Sequence, residues 1–321
     1  MARLTLALLL LLCSATTEAQ GRFRVVTWNV ENLFDCRHDT LKDDHEFQPD
    51  SERHWTWGRY WRKITDVGRV VMGIGEMNAP ALVGLCEVEN DSVMIALTRR
   101  GSLRAIGYDY VMTNSPDRRG VDVALMYQPT MFRLLGHESR RIPSEQHNLR
   151  PTRDLLHVWG VAQGRDTLHI VVCHLPSRAG GSKENVRNRK LAVAELVRLT
   201  DSLLTNVPKC QLLVMGDFNA TLRDKALKPI VCHPGLMPLT PDRKRPTSGT
   251  YRYQGNWSWI DHMLVSRTLA SKVSGTAQLY TAPWMQREVA DGTWYPRRTY
   301  LGTNYGGGVS DHVPAYIDLS F

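Results

Sequence analysis

The chain has 321 residues, 42% of them hydrophobic and 22% charged, a balance that builds an ordinary globular core with no need of metal or disulfide staples. Lys and Arg number 40 against 32 Asp and Glu, a formal charge of +8, which favours an anionic partner but specifies no chemistry. Six cysteines are present with no metal-type spacing, and the five that remain beyond Cys13 are an odd number, which is not a disulfide framework.

At the N-terminus, Arg3 precedes the apolar run Leu4 to Leu12 and the small, polar stretch Ser14 to Gln20. This layout predicts a secretory signal over residues 1–19, with Thr17 and Ala19 at the cleavage site. The run is too short to anchor in a bilayer. A secreted or periplasmic protein is expected, with residues 20–321 as one catalytic domain and no later membrane segment. Lipidation at Cys13 ranks below this, because Leu12 stands where a small residue should precede it. Five cysteines then remain. Cys86 and Cys173 fall in apolar strand-like runs and read as small buried hydrophobes; a Cys36–Cys232 disulfide is compatible with the sequence but not dictated by it.

Phe23 to Val30 predicts a first strand, ending on Trp28 and Asn29. Residues 36–57 read as a polar surface excursion. A helix follows, with Tyr60, Ile64, Val67, Val71 and Ile74 on its apolar face and Arg59, Arg62, Lys63 and Arg69 on the solvated one. After Pro80, Ala81 to Cys86 predicts a buried strand with Glu87 at its end, and a helix is expected from Ser92 to about Arg100. Val121 to Tyr127 predicts a strand carrying Asp122. Thr152 to Gly160 and Thr167 to His174 predict two more, the second finishing on His174. The loop Leu175 to Gly181 holds Arg178, and a long helix from about Lys183 to Leu204 opens with Arg187 and Lys190.

Gln211 to Gly216 is a further apolar strand. Asp217 and Asn219 follow at alternate positions, so both side chains project from one face of its end. A Pro-rich stretch to Pro246 predicts short helix and loop. Gly249 to Tyr253 and Trp257 to Val265 read as a strand pair, with Asp261 inside the second and His262 turned to its opposite, structural face. Residues 282–308 read as a long loop. Ser310, Asp311 and His312 lead into the last strand.

Asn29, Glu87, Asp122, His174, Asp217, Asn219, Asp261, Asp311 and His312 thus stand at strand ends or inside strands. Polar groups avoid such positions unless they are paired or coordinate something. Their convergence on one acidic, histidine-containing pocket is the simplest common cause. Carboxylate and amide oxygens suit a hard cation, Mg2+ or alternatively Mn2+. Two His–carboxylate pairs would favour cationic imidazoles, which stabilise an anionic transition state on phosphorus. Arg153, Arg178 and Arg187 would add phosphate contacts. There is no Walker-type glycine loop. Asp43 to Glu46 reads as a solvated acidic loop rather than a second metal site.

Trp28-Asn29, Glu87 after its strand, Gly216-Asp-Phe-Asn219, the strand around Asp261 and Ser310-Asp-His312 follow one another at spacings that resemble the endonuclease/exonuclease/phosphatase superfamily. The resemblance runs from about Arg24 to Leu319, and Glu31-Asn-Leu-Phe-Asp35 and His174 to Gly181 resemble a secreted bacterial branch of it. It implies an α/β fold, a four-layer αββα sandwich of two mixed β-sheets packed face to face with helices outside. It also implies roles. Glu87 would be the principal Mg2+ ligand, with Asn29 and Asp311 close by. Asp217 would orient and deprotonate the attacking water, and Asn219 would bind the nucleophile or a phosphate oxygen. His174 and His312 would contact the scissile phosphate, His312 paired with Asp261 and His174 with Asp122.

The expected activity is metal-dependent phosphoester hydrolysis by a monomer. Nucleic acid leads as substrate on charge. A phosphorylated small molecule or phospholipid headgroup is the alternative. A binding module that kept the fold and lost the chemistry would have shed at least one of Glu87, Asp217, Asn219 or His312, and all four are present.

Overall fold

The computed structural model describes residues 22–177, 183–242, 244, 246–289 and 292–321; the expected signal segment, Cys13 and Arg178 lie outside the described residues. In chain order its strands are β1 (Phe23–Leu33), β2 (Leu82–Val88), β3 (Asp109–Met112), β4 (Asp122–Tyr127), β5 (Phe132–Arg140), β6 (Leu155–Ala162), β7 (Asp166–His174) and β8 (Gln211–Asp217). They continue as β9 (Leu236–Pro238), β10 (Tyr251–Tyr253), β11 (Asn256–Ser258), β12 (Asp261–Ser266), β13 (Val273–Leu279), β14 (Gln286–Glu288), β15 (Trp294–Pro296), β16 (Tyr300–Leu301), β17 (Asn304–Tyr305) and β18 (Ala315–Leu319). The longer helices are α1 (Trp57–Gly75) and α3 (Lys183–Asn206), with the short α2 (Asp91–Ile95) between them.

Two six-stranded sheets form, in the orders β13-β18-β1-β2-β4-β3 and β5-β6-β7-β8-β12-β9. Each is mixed: β1 and β2 are parallel, as are β7 and β8, and the other neighbours run antiparallel. The sheets meet through one apolar layer, to which β1 gives Phe23 and Val25, β7 gives Ile170 and Val172, β8 gives Leu213 and Met215, and β12 gives Met263 and Val265. Alternate residues of β1, namely Val26, Trp28 and Val30, point the other way into a layer shared with α1. Alternate residues of β8, Leu212 and Val214, pack with Val193, Leu196 and Leu203 of α3. Strands buried on both faces need apolar residues at every position, which is why these segments read as continuous runs. The resulting order of layers is helix, sheet, sheet, helix, as expected.

Several local expectations change. Lys63 is not on a solvated face: α1 buries it to 3% exposure. The segment read as one strand from Trp257 to Val265 is two, β11 closing a hairpin on β10 and β12 joining the sheet. The supposed loop 282–308 contains two small hairpins, β14–β15 and β16–β17. Asp44 is buried and bonds His38 Nδ1, so Asp43 to Glu46 is not simply solvated. All five cysteines among the described residues are free, which removes the Cys36–Cys232 disulfide. The edge strands β3, β5, β9 and β13 lacked a clear sequence signal.

Gly216 shows why β8 cannot be wholly side-chain bearing. Its φ is +140°, and a Cβ there would lie 1.8 Å from the Cys173 carbonyl oxygen of β7. Gly216→Ala is expected to destabilise the fold by about 3 kcal/mol or more, through strain at a position that admits only glycine. Thermal unfolding reads this out; a midpoint within about 2 °C of the parent would contradict the close approach.

Candidate active site

Side-chain parity explains how the site is assembled. On β1 the inward line that starts with Phe23 and Val25 reaches Asn29; on β7 it reaches His174, on β8 Asp217 and on β12 Asp261. All four polar groups therefore stand where the apolar layer between the sheets ends. Glu87 has the wrong parity, because Cys86 before it already faces inward. A β-bulge corrects this. The β2–β4 register shifts between Cys86 and Val88, and Glu87 adopts φ +65°. A bulge re-aims the side chain at its position, and Glu87 comes to lie 3.9 Å from His174 Nε2.

Asp217 is the hub. Its Oδ1 accepts from the Asn219 backbone N–H at 2.8 Å. Its Oδ2 accepts from Asn29 Nδ2 at 3.0 Å and from Asn219 Nδ2 at 3.3 Å. The Nε2 atoms of His174 and His312 lie 3.6 and 3.9 Å from Oδ2. Burial, and then the nearby Asp261 charge, push Asp217 up to about 7. His312 is different. Burial opposes its protonation, but Asp261, bonded to His312 Nδ1 at 2.8 Å, and Asp217 outweigh it and hold the imidazole well above its ordinary value. Asp261 thus pairs with His312 as expected.

The terminal Ser-Asp-His segment is held by the first strand. Ser310 Oγ donates to Asn29 O at 2.7 Å and accepts from His312 N at 2.9 Å. Trp28 Nε1 donates to His312 O at 3.0 Å. Thr250 ties in the β10 hairpin: its Oγ1 accepts from Asp261 N and its carbonyl from Val313 N. Tyr251 lies with its ring 5.0 Å from that of His312.

The expected His174–Asp122 pair does not form. Asp122 Oδ1 accepts from Thr113 Oγ1 and Ser115 N, because β4 turns its carboxylate into its own preceding loop. His174 Nδ1 is buried with no hydrogen-bond partner among the described residues. Burial, with the charges of Arg153 and Arg119 adding to it, holds His174 well below its ordinary value. The site therefore has one cationic and one neutral imidazole rather than two cations. His262 faces away, between Thr240 Oγ1 and Ala220 O, and burial lowers it to about 4.

The arginines also differ from expectation. Arg153 is 8% exposed and is bound to Asp117 Oδ2 and to the carbonyls of His174 and Leu175; it braces the end of β7 instead of standing free for phosphate. Arg187 is exposed on the first turns of α3, where its charge acts on Glu184. In their place the structure brings Arg119 and Arg298 to the carboxylates. Arg119 lies 3.7 Å from Glu87 Oε2 and donates to Asn32 Oδ1. Arg298 donates to Asp311 Oδ2 and to Glu31 Oε1. Glu31 in turn accepts from Thr299 N, while the buried Lys63 donates to Glu31 O and Thr299 Oγ1. Burial, and then Asp311, raise Glu31 to about 7. The sequence offered weak signals for these: Arg119 sits in a turn ahead of β4, and Lys63 interrupts no apolar pattern.

Could these residues hold a hard cation? Glu87 is the strongest test. Burial alone would raise its pKa, yet Arg119, His312 and the Asn32 N–H outweigh it and hold Glu87 below its ordinary value. Its Oε2 is used by Asn32 N, and Oε1 accepts no hydrogen bond among the described residues. A largely enclosed carboxylate kept ionised, with its side chain 12% exposed at the mouth of the site, one oxygen uncommitted and Asn29, Asp217 and Asp311 nearby, belongs to an all-oxygen donor set of the type divalent hard metals take. The compact trio Asp217, Asp261 and His312 fits less well, because Asp261 and His312 already bind each other.

Fold and site together define a two-sheet sandwich whose strand ends carry a carboxylate, amide and histidine centre suited to a divalent cation. The chain belongs to the endonuclease/exonuclease/phosphatase family, whose model matches residues 24–320. No curated protein matches it. Among solved structures it is similar to truncated TDP2 of Caenorhabditis elegans, at 16% identity and TM-score 0.61 over 94% of this chain and 98% of that one. It is similar to a mannosyl-6-phosphatase of Bacteroides thetaiotaomicron, at 16% identity and TM-score 0.59 over 93% and 100%. It also resembles D. rerio TDP2 complexed with a single-strand DNA product, at 14% identity and TM-score 0.55 over 94% and 99%. At these identities the likeness is one of fold.

The raised Asp217 has a consequence for stability. The folded protein keeps a proton that the unfolded chain releases near pH 4, so stability is lost as pH rises towards and through about 7. Asp217→Asn removes this penalty. It is expected to raise stability at pH 8 by on the order of 1–3 kcal/mol and to change it little at pH 4. Denaturant unfolding at the two pH values measures this; a loss of stability at pH 8 would refute the raised pKa.

Proposed function

We propose that the chain is a metal-dependent phosphoesterase that hydrolyses phosphodiester bonds by in-line attack of water, with nucleic acid as its substrate. The observation that carries this reading is one buried carboxylate, Asp217, set between hydrogen-bond donors on one side and an Asp261-backed imidazolium on the other. A base and a cationic acid whose environments push them apart are what acid–base hydrolysis requires.

In this reading Asp217 orients the water and takes its proton. Asn29 and Asn219 fix the carboxylate through their amides, and Asn219 is also anchored on Leu175 O, so the base cannot rotate away from the nucleophile. His312, charged and locked by Asp261, faces the developing negative charge on phosphorus. His174, neutral, donates through Nε2 in the tautomer that leaves Nδ1 bare. Arg119 and Arg298 extend the positive field to either side of the carboxylates. Glu87, Asn29 and Asp311 would hold Mg2+ or Mn2+, which when bound supplies Lewis-acid stabilisation of the phosphoryl oxygens. Nucleic acid leads because the net charge is +8 and Arg119 and Arg298 border the site. A phosphorylated small molecule or phospholipid headgroup would use the same machinery.

The purified protein is expected to cleave supercoiled DNA or single-stranded RNA in Mg2+ and to stop in EDTA. Asp217→Ala should lower kcat by about 10²-fold or more, and Glu87→Gln should raise the metal concentration needed for half-maximal rate. Hydrolysis of an inositol phosphate or sphingomyelin instead, abolished by the same substitutions, would move the assignment to the alternative substrates. Full activity in Asp217→Ala would sink the mechanism.

The pH profile is a separate check. A base must be ionised, so the rate should fall on the acid side as Asp217 takes up its proton, with a midpoint near 7 at limiting metal. Raising the metal concentration should move that midpoint to lower pH, because a cation favours the carboxylate. A midpoint fixed near the ordinary carboxylate range at every metal concentration would argue for another base.

A further inference from the structure

The segment between β1 and α1 carries three metal-ligating side chains that the catalytic reading does not use. One ligand atom each of His38, Asp44 and His45 lies within 4.8 Å of the other two. We propose that this trio is a Zn2+ site, separate from the hard-cation centre at the strand ends, and that the ion fastens the excursion 36–57 to the body of the fold. It does not depend on the phosphoester reading.

The state of Asp44 carries the inference. Asp43, Asp44 and Glu46 are close neighbours in sequence, and two of them have arginine partners: Asp43 lies 3.6 Å from Arg118, and Glu46 2.7 Å from Arg53. Asp44 is the buried one, at 1% exposure, and no lysine or arginine among the described residues pairs with it. Its Oδ2 accepts from Asp39 N at 2.8 Å, and its Oδ1 has only the His38 ring, with Nδ1 at 2.5 Å. A buried carboxylate needs a counter-charge, and a divalent cation supplies it. The surroundings add to the demand. Asp39, Glu89, Asp91 and Asp122 line the adjoining cleft, and Lys42, which lines it too, donates to the carbonyls of Ser115 and Asp117.

The donors choose the metal. Two imidazoles and one carboxylate suit Zn2+ rather than Mg2+ or Ca2+, which take oxygen ligands. The His38 and His45 rings already lie together, 4.4 Å apart and tilted by 31°. Tetrahedral Zn2+ with bonds of about 2.0–2.2 Å holds its ligand atoms about 3.3–3.5 Å apart, so the trio closes on the ion by small side-chain rotations. Both histidines are exposed and free to make them, while the backbone beneath is anchored. Phe47 N donates to Asp44 O at 2.8 Å, and the Phe47 ring stacks on Phe34 at 4.1 Å. The His38–Asp44 bond is not the obstacle that the His312–Asp261 bond is. The latter is enclosed on both sides, whereas the His38 side chain is 34% exposed. The proton that His38 and Asp44 share can pass to water, and the cation takes its place. Three protein ligands leave a fourth position for water. The ion would secure more than its own loop, because Asp43 N donates to Arg118 O and so holds the turn that carries Arg119.

The test is calorimetric titration of the metal-stripped protein with Zn2+ in excess Mg2+, which competes for the all-oxygen centre. The parent and Glu87→Gln are each expected to bind a Zn2+ ion tightly. The double substitution His38→Ala/His45→Ala should weaken that binding by about 100-fold or more. Zn2+ should also raise the thermal midpoint of the parent by about 4 °C or more and leave that of the double variant within about 1 °C. Both histidines are exposed, so the double variant is expected to fold. Should it not, carbethoxylation of the parent decides the matter, with Zn2+ expected to protect His38 and His45 from modification. Absence of tight Zn2+ binding in the parent, equal affinity in a folded double variant, loss of the ion in Glu87→Gln, or modification of His38 and His45 at an undiminished rate in Zn2+ would each overturn the site.

Discussion

The carboxylate of Asp217 is the point on which this structure turns. It lies at the end of β8, buried to 1% exposure, where charge is expensive unless donors surround it. Asn29 from the opposite sheet and Asn219 from the following turn supply those donors. The Asn29 bond joins the two sheets at this level, beside the Asp261–His312 pair and the contact of Cys86 Sγ with Cys173 O. Ahead of Asp217 the inward line of β8 is apolar at Leu213 and Met215, so the transition from core to chemistry takes place within two residues, Met215 to Asp217. The opposed states of Asp217 and His312 follow from this burial, because each group's charge depends on the others in a medium that screens them poorly.

Backbone strain collects around the same point. Glu31, Asn32, Glu87 and Asn219 all have φ between +51° and +65°, a region that side-chain-bearing residues enter at a cost of about 1–3 kcal/mol each. Three of the four lie at bulges where β1 and β2 lose register. Hydrogen bonds compensate: Glu31 N donates to Asn29 Oδ1, and Asn32 N to Glu87 Oε2. The site residues thus hold open the conformations that aim them.

Much of this was legible in the chain. Apolar runs that end on a polar residue mark β1, β2, β7 and β8 because a strand covered on both faces cannot tolerate polarity until it leaves the core. His174, Asp217, Asn219, Asp261 and His312 could be located for that reason. The rest depended on information that periodicity does not carry. Edge strands such as β5 are half solvated and have no strong pattern. Lys63 sits at a helical position that reads as exposed, yet the 282–308 excursion folds over it and supplies Thr299 as its partner. Arg153 and Arg119 are indistinguishable in the sequence, since whether an arginine is free depends on which carbonyls and carboxylates the fold brings beside it. Asp122 illustrates the same limit: its alternation was right and its partner was wrong, because Thr113 and Ser115 lie closer along their own loop.

The bond from Trp28 Nε1 to His312 O joins residues 284 apart in sequence, and β1 lies between β2 and β18 in its sheet. The first strand to be synthesised therefore waits for the last. During translation the inner face of β1 has no β18 beside it, and Asn29 and Asp217 have no His312 opposite them. Such distant pairing slows folding, and it means that a chain lacking its last strand holds Asn29 and Asp217 without the imidazole of His312. The His312–Asp261 pair can close only once the segment that leads into β18 has been made, so the cluster at the strand ends is among the last parts of the fold to assemble.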